Sequence, residues 1–194
     1  MLNFLIRTAE SNDTSQCLDC LTLAFGSDPP SRWIWPDPRQ YLEAFPRFAH
    51  AFGGGAIEVG TAHIHGGHSG VALWLPPDTA PDEEAVIGVF EETVEEKKKE
   101  ALFSIFEQMG AYHPPGPHWH LPLIGVDPAN QGRGLGSALL SHALAQCDRD
   151  KLPAYLEATS SRNVALYKRH GFEILGTIQV EDCPPIIPML RKPQ

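Results

Sequence analysis

VDPANQGRGLGSALL, residues 126–140, is the stretch from which the rest of the chain can be read. Ile124, Gly125 and Val126 close an apolar run that reads as a strand, and Asp127-Pro128 ends it, because proline has no N–H to give to a sheet. Gly132, Gly134 and Gly136 then crowd into the loop that starts at Gln131. From there Leu135, Ala138, Leu139, His142 and Ala143 recur at helical spacing. A glycine-rich loop lets backbone approach a ligand closely, and the helix start behind it offers unpaired N–H groups and a positive dipole end. Such a strand–loop–helix joint is a cradle for an anion, above all a diphosphate.

Known phosphate cradles narrow the choice. A P-loop needs a lysine followed by serine or threonine after its last glycine, and none stands here. A dinucleotide fingerprint would begin at Gly134-Leu135-Gly136, with Glu157 at about the right distance to hold a ribose. However, its third small position is Leu139, and five residues separate Val126 from Gly132. A third arrangement is matched in full: glutamine or arginine, two residues, glycine, one residue, then glycine or alanine, as Gln131-Gly132-Arg133-Gly134-Leu135-Gly136. The bland reading is a glycine-rich turn with no ligand.

With 194 residues the chain is long enough for one domain with a substantial core, so 1–194 is read as a single domain. A net charge of −9 argues against nucleic acid or an anionic membrane as partner, while leaving room for a local basic patch. No apolar run approaches the ~20 residues of a membrane span. The apolar run in MLNFLIRTAESND is too short for a secretory signal. Cys17, Cys20, Cys147 and Cys183 form no disulfide framework, so reduced thiols and a cytoplasmic protein are expected. The Cys17-x-x-Cys20 pair lacks the second pair that a zinc site would want and reads as buried helix thiols.

Along the chain, Phe4, Leu5 and Ile6 read as a first strand, and a helix capped by Asn12 or Asp13 runs to about Phe25. Gly26 to Pro38 reads as a proline-rich loop, its Trp33 and Trp35 either a substrate wall or a pin to the core. A helix from Asp37-Pro38 carries Tyr41, Leu42, Phe45, Phe48, Ala49 and Phe52 as its apolar stripe, and Gly53-Gly54-Gly55 ends it. Strands at Ile57–His65 and Ser69–Leu75 form a hairpin around Gly66-Gly67, with His63, His65 and His68 expected to be exposed there rather than to bind metal. Asp82 to Met109 reads as one long helix or a broken pair, packed on the domain as a lid. Its charged run Glu91–Glu100 is taken as a solvated face. A strand at 118–126 feeds the cradle. The strand 154–159 places Tyr155, Glu157 and Thr159 on one face. A helix from Asn163 to His170 stops at Gly171, and Phe172–Val180 and Ile186–Arg191 are the last strands. This order predicts an α/β domain with a mixed sheet.

Two motifs together carry a resemblance. Gln131–Gly136 and LEATSSRNVALYKRHGF, residues 156–172, resemble the two signatures of the GNAT acetyltransferase superfamily. Within it the likeness is greatest to the puromycin N-acetyltransferases. It runs from the first strand through Ala24-Phe25 and Asp37-Pro38 to Met189, Arg191, Lys192 and Pro193, with Asp28 standing where an aromatic residue would align. The resemblance implies a mixed, mostly antiparallel central sheet flanked by helices. It also implies an acetyl-CoA-dependent N-acetyltransferase acting by direct attack of a primary amine of a small-molecule acceptor, with no metal, as a monomer or homodimer.

The same resemblance implies a site. The pantetheine arm would lie between the strand ending at Val126 and the strand starting near Ala154, bonded to Ile124 and Val126 with Gly125 between them. The diphosphate would sit on Gln131, Gly132, Arg133, Gly134, Leu135 and Gly136, with Ser137 next in line and Asn163 on the pantetheine side. A Val126 N–H would face the developing oxyanion. Tyr167 would protonate the leaving thiolate, and His120 or Glu157 would take the amine's proton. Trp33, Trp35 and the 82–109 helix would enclose the acceptor, with Asp28, Asp37 and Glu43 as candidate carboxylates for a cationic amine. A non-catalytic acyl-CoA sensor of the same fold is the alternative.

Overall fold

Helix starts in this chain are written by its caps. The computed structural model describes residues 5–194, so Phe4 of the expected first strand lies outside the described residues. Asp28, Asp37, Asp82 and Ser160 each accept a hydrogen bond from the backbone N–H three residues on, and proline sits in the first turn after Asp28 and Asp37. In order, the elements are β1 (Ile6–Thr8), α1 (Thr14–Ala24), α2 (Pro29–Ile34), α3 (Pro38–Gly53), α4 (Gly55–Glu58), β2 (Ala62–His65) and β3 (Gly70–Leu75). Then come α5 (Glu83–Thr93), α6 (Glu96–Tyr112), β4 (Trp119–Val126), α7 (Leu135–Asp150), β5 (Ala154–Ala158), α8 (Ser161–Arg169), β6 (Glu173–Ile174) and β7 (Ile187–Arg191).

The strands form one sheet in the order β1-β2-β3-β4-β5-β7-β6. Only β4 and β5 run parallel; every other pairing is antiparallel, the mixed and mostly antiparallel sheet expected. One face packs on α1, α3, α5 and α6 through Leu21, Phe45, Phe48, Phe90 and Ile105. The other packs on α7 and α8 through Leu121, Leu139, Leu140 and Tyr167. No helix among the described residues is long and apolar enough to cross a membrane.

Several expectations are corrected. The Gly26–Pro38 loop contains α2, which Asp28 caps and Pro29 opens. The strand expected from Ile57 begins only at Ala62, because the chain turns through α4 after the three glycines. Of the two forms allowed for 82–109, the broken pair is found, with Val94 extended between α5 and α6. Of Phe172–Val180 only Glu173–Ile174 pairs as a strand, with one isolated bridge from Ile178 to Ile186. The hairpin histidines are half-buried rather than exposed. His68 Nε2 lies 2.7 Å from Asp13 Oδ1, His65 Nδ1 2.8 Å from Ser69 Oγ, and burial against the sheet pushes His63 down to about 4. The charged run is not simply solvated, since Lys98 Nζ donates to the Trp33 carbonyl oxygen at 2.5 Å and ties α6 to α2. All four cysteines are buried free thiols.

Gly125 is where helix and sheet come closest. A Cβ there would stand 2.7 Å from Ala24 Cβ and 3.0 Å from Leu21 Cδ2, so α1 can lie on β4 only over a bare Cα. Gly125→Val is expected to cost about 1–3 kcal/mol through overpacking. A denaturant midpoint equal to that of the wild type would show that α1 does not depend on this contact.

Candidate active site

The site begins where β4 and β5 part. Their parallel pairing covers Trp119↔Ala154, His120↔Tyr155 and Leu121↔Leu156 and then stops. On its other edge β4 carries an irregularity, with Leu73 opposite Leu123 but Leu75 opposite His120, one residue too many on the β4 side. Such a bulge reverses which backbone groups face which neighbour. Asp127 N–H donates to Ser69 O, so in an antiparallel ladder Gly125 and Leu123 also turn their polar groups to β3. Ile124 and Val126 therefore point theirs into the gap. Pro122, in the same phase, has no N–H to give to β5. The result is a wedge open between the two strands, edged by unpaired backbone groups. Gly125, which the resemblance places between the pantetheine-binding residues, turns its backbone polar groups away from the wedge and serves the packing of α1.

At the wide end of the wedge lies the glycine loop. Asp127 caps a short 3-10 turn at Pro128–Asn130, and Gln131 Nε2 donates to Val126 O at 3.0 Å, folding the loop back on the strand. Gly132 and Gly134 have φ of 76° and 87°, which glycine reaches without penalty. Gly134 is the cap of α7 and Leu135 anchors the helix start in the core, while 131–134 are exposed. The first N–H groups of α7 have no acceptor within the helix. Together with the exposed loop they form a surface that fits a diphosphate. Arg133 makes no ion pair among the described residues and is available to it. Ser137 is less free, since its Oγ lies 2.7 Å from His170 Nε2.

The narrow end holds the titratable groups. The Glu157 side chain is only 4% exposed; His120 Nε2 lies 3.1 Å from its Oε2, and His113 Nε2 makes a 3.5 Å charge contact with Oε1. Burial pushes the Glu157 carboxyl up, but the charges and hydrogen bonds of His120 and His113 outweigh it and hold it at about 2. A carboxylate can only accept, so His120 Nε2 carries the proton of that bond and a neutral His120 keeps its lone pair on Nδ1. On the other side the Gly116 carbonyl fixes His118 as the Nδ1–H tautomer at 2.8 Å, and His118 Nε2 accepts from His113 Nδ1 at 3.0 Å. Burial holds His118 below the ordinary histidine range, which suits that neutral acceptor. The ligand atoms of His113, His120 and Glu157 lie within 4.8 Å of one another, a spacing that a small cation could bridge.

Two cavities meet at this carboxylate. A narrow one of about 90 Å³ follows the wedge along Leu121, Pro122, Leu123 and Ile124 and reaches Asn163 and Tyr167. Of the two residues whose backbone groups face the gap, Ile124 borders this cavity. Tyr167 is buried, and no protein partner for its hydroxyl is found among the described residues; burial, with the nearby Asp28 carboxylate, raises its pKa and keeps the phenol protonated. A larger cavity of about 460 Å³ lies under α5 and α6 and ends on His113, His120 and Glu157. Phe52, Phe106, Met109 and Glu157 line both.

The family model described as an acetyltransferase (GNAT) domain matches residues 89–174, from the end of α5 through the wedge and α8 to β6. A solved structure titled histone acetyltransferase HPA2 and related acetyltransferase, from Corynebacterium glutamicum, is 30% identical, covers 100% of this chain and 98% of its own, and superposes with a TM-score of 0.71. The chain belongs to the GNAT acetyltransferase family. GNAT acetyltransferases use acetyl-CoA as acetyl donor, and the wedge and glycine loop fit its arm and diphosphate. Curated relatives match only in part. An uncharacterised N-acetyltransferase of Schizosaccharomyces pombe is 30% identical over 79 residues, 39% of this chain and 32% of that protein. A mycothiol acetyltransferase of Mycolicibacterium gilvum is 43% identical over 63 residues, 28% of this chain and 21% of that protein. The chain thus spans a third or less of these two relatives.

Of the elements expected to enclose an acceptor, the helix pair and the tryptophans part company. The α5–α6 pair roofs the large cavity, but Trp35 is fully buried against Phe45, Phe48 and Phe90, and Trp33 Nε1 donates to Asp182 Oδ1 at 2.8 Å. Neither tryptophan lines that cavity. Asp28 is buried, bonded to Ser31 and Thr159, and burial raises its pKa; Asp37 caps α3 and Glu43 pairs with Arg39 on the surface. These three carboxylates do not converge on an amine. His113 was missed, because it sits in a loop 44 positions before Glu157 and no spacing rule links the two. Its one sequence signal was the run of His113, His118 and His120 around the start of β4.

Gly134→Val places a β-branched residue at φ 87° in the GNAT loop. Strain of about 1–3 kcal/mol follows, which corresponds to roughly a 5- to 150-fold loss of affinity for coenzyme A. Calorimetry that returned wild-type affinity in the folded variant would place the diphosphate elsewhere.

Proposed function

We propose that the protein is an acetyl-CoA-dependent N-acetyltransferase that moves the acetyl group to the primary amine of a small-molecule acceptor by direct attack. The observation that carries this is the meeting of two cavities at Glu157 and its paired His120. A carboxylate–imidazole pair at that junction serves transfer and is superfluous for holding an acyl-CoA, which favours an enzyme over a sensor. The likeness to the puromycin enzymes stays a matter of motifs, since Asp28 is a buried helix cap outside the large cavity and does not select an acceptor there.

Acetyl-CoA supplies an activated acyl group, and the chain supplies the rest. An ammonium entering the large cavity gives a proton to His120 Nδ1, and Glu157 steadies the imidazolium that results. The freed amine attacks the thioester carbonyl carbon from the cavity side, and the N–H of Ile124, facing the wedge, is placed to stabilise the oxygen as it gains charge. The carbon–sulfur bond breaks. Tyr167 gives its hydroxyl proton to the departing sulfur and is reprotonated by the second amine proton, leaving an amide and free thiol. The site's apolar walls make each of these fixed dipoles count for more than in water. In this reading His120 and Glu157 act as one pair rather than as alternatives, and the oxyanion is assigned to the Ile124 N–H where the resemblance implied that of Val126.

Glu157, held at about 2, stays a carboxylate over the whole working range and can only accept the hydrogen bond from His120. Glu157→Gln keeps the shape and removes the charge. Its kcat/KM should fall by roughly 10²- to 10⁴-fold, because the imidazole loses the charged acceptor that orients it. His120→Phe should lose at least as much. Wild-type kcat/KM in both folded variants would assign the proton to water.

Tyr167→Phe deletes only the donor. The expected loss is in kcat, on the order of 10²-fold, with coenzyme A affinity unchanged. Wild-type kcat, with the chemical step shown to limit the rate, would leave Tyr167 a packing residue.

A further inference from the structure

Resting on the acetyltransferase reading, we infer that the acceptor is a primary monoamine with an apolar body, an aryl- or branched-alkyl-amine, and not a polyamine, a lysyl side chain of a peptide or an amino sugar. The cavity under α5 and α6 has its buried polar groups at one end only. Its floor carries His113, His120 and Glu157, and its walls are Phe52, Val86, Phe90, Phe103 and Phe106, with Ile87 at 47% exposure standing at the mouth. Apart from the floor, the one charged side chain on its lining is Glu83, an exposed residue in the first turn of α5 where a carboxylate complements the helix dipole.

This distribution selects by chemistry. Buried partners for an ammonium lie only at the floor, since Glu83 stands in solvent. A second ammonium four to ten bonds away would lie among phenylalanine rings with no buried partner, and burial of an unpaired charge is strongly disfavoured. The hydroxyls of a sugar would meet the same rings and lose their hydrogen bonds to water without replacement. A peptide would have to thread its backbone beneath the helix pair, and the lining offers it no polar side chain between floor and mouth. A ring or branched chain of apolar carbon gains on every count, and the cavity's volume of about 460 Å³ admits one or two rings beyond the amine.

The test is acetyl transfer to a panel of amines by the wild-type chain, read as thiol release. Across n-alkylamines from propyl to hexyl, kcat/KM is expected to rise roughly fourfold for each methylene that becomes buried. Phenethylamine and tryptamine are expected to exceed spermidine, glucosamine and an acetyl-lysyl-lysine amide peptide by at least about a hundredfold. Ile87→Glu, at an exposed position away from the reacting groups, should lower kcat/KM for phenethylamine about tenfold or more, leave the KM for acetyl-CoA unchanged and narrow the gap to spermidine. A flat alkylamine series, or a preference for spermidine, the sugar or the peptide, overturns the inference while leaving an acetyltransferase standing. Tight coenzyme A binding with no transfer to any amine overturns the acetyltransferase reading itself. In that case the cavity claim is judged by calorimetric titration of phenethylamine and spermidine, and equal or reversed affinities overturn it as well.

Discussion

The structure depends on a ladder that stops. Two parallel strands would ordinarily pair along their whole length, because each unpaired N–H or C=O near the core costs free energy comparable to a lost hydrogen bond. Here β4 and β5 pair for three residues and separate at Pro122, where the bulge turns the strand's bonding edge and the proline withholds its donor. Everything functional hangs on those orphaned groups. They can be satisfied by water, or by an extended ligand that behaves as a missing strand, and the pantetheine arm has amides for that purpose. The glycine loop follows directly from the strand's far end, so the same stretch that holds the arm also delivers the diphosphate to the start of α7.

A second constraint is electrostatic. Glu157 sits on β5 just beyond the last paired residue, with its side chain buried and its carboxyl held low by His120 and His113 against the cost of burial. Removing either histidine takes away part of what offsets that cost. Base and orienting group are thus not separable roles laid on a finished scaffold; each fixes the state of the other. His118 extends the arrangement outward to the Gly116 loop, and the run of ring contacts from His120 through His113 to Tyr155 keeps the imidazoles from turning.

Much of this was legible in the sequence where local rules apply. The loop at 131–136, the helix start at Asp37-Pro38, the glycine stop at Gly171 and the apolar stripe of α3 are each written within a few residues, and each stands where expected. What was not legible depends on contacts distant in sequence. Trp35 looks like a loop aromatic until α3 and α5 close around it. Asp28 looks like a surface acid until Thr159, 131 positions away, bonds to it. Pro122 was in plain view within the apolar run, yet its meaning comes from the neighbour it fails to bond, and that neighbour is β5.

The roof of the acceptor cavity is held to the rest of the fold in a way that bears on motion. Lys98 anchors α6 to the Trp33 carbonyl, and Arg47 pairs with Glu92 to join α3 to α5. The second pair is solvent-exposed and so worth little. Phe90 and Phe106 contribute most, Phe90 by stacking on Phe48 and Phe106 by meeting Phe52 edge to face. A lid held mainly by apolar contact over an apolar cavity has a simple property: a ligand that fills the cavity adds to the same contacts that hold the lid down. Closure and recognition of an apolar acceptor then draw on one source of free energy, and a polar acceptor that leaves the rings unfilled leaves the lid no tighter than before.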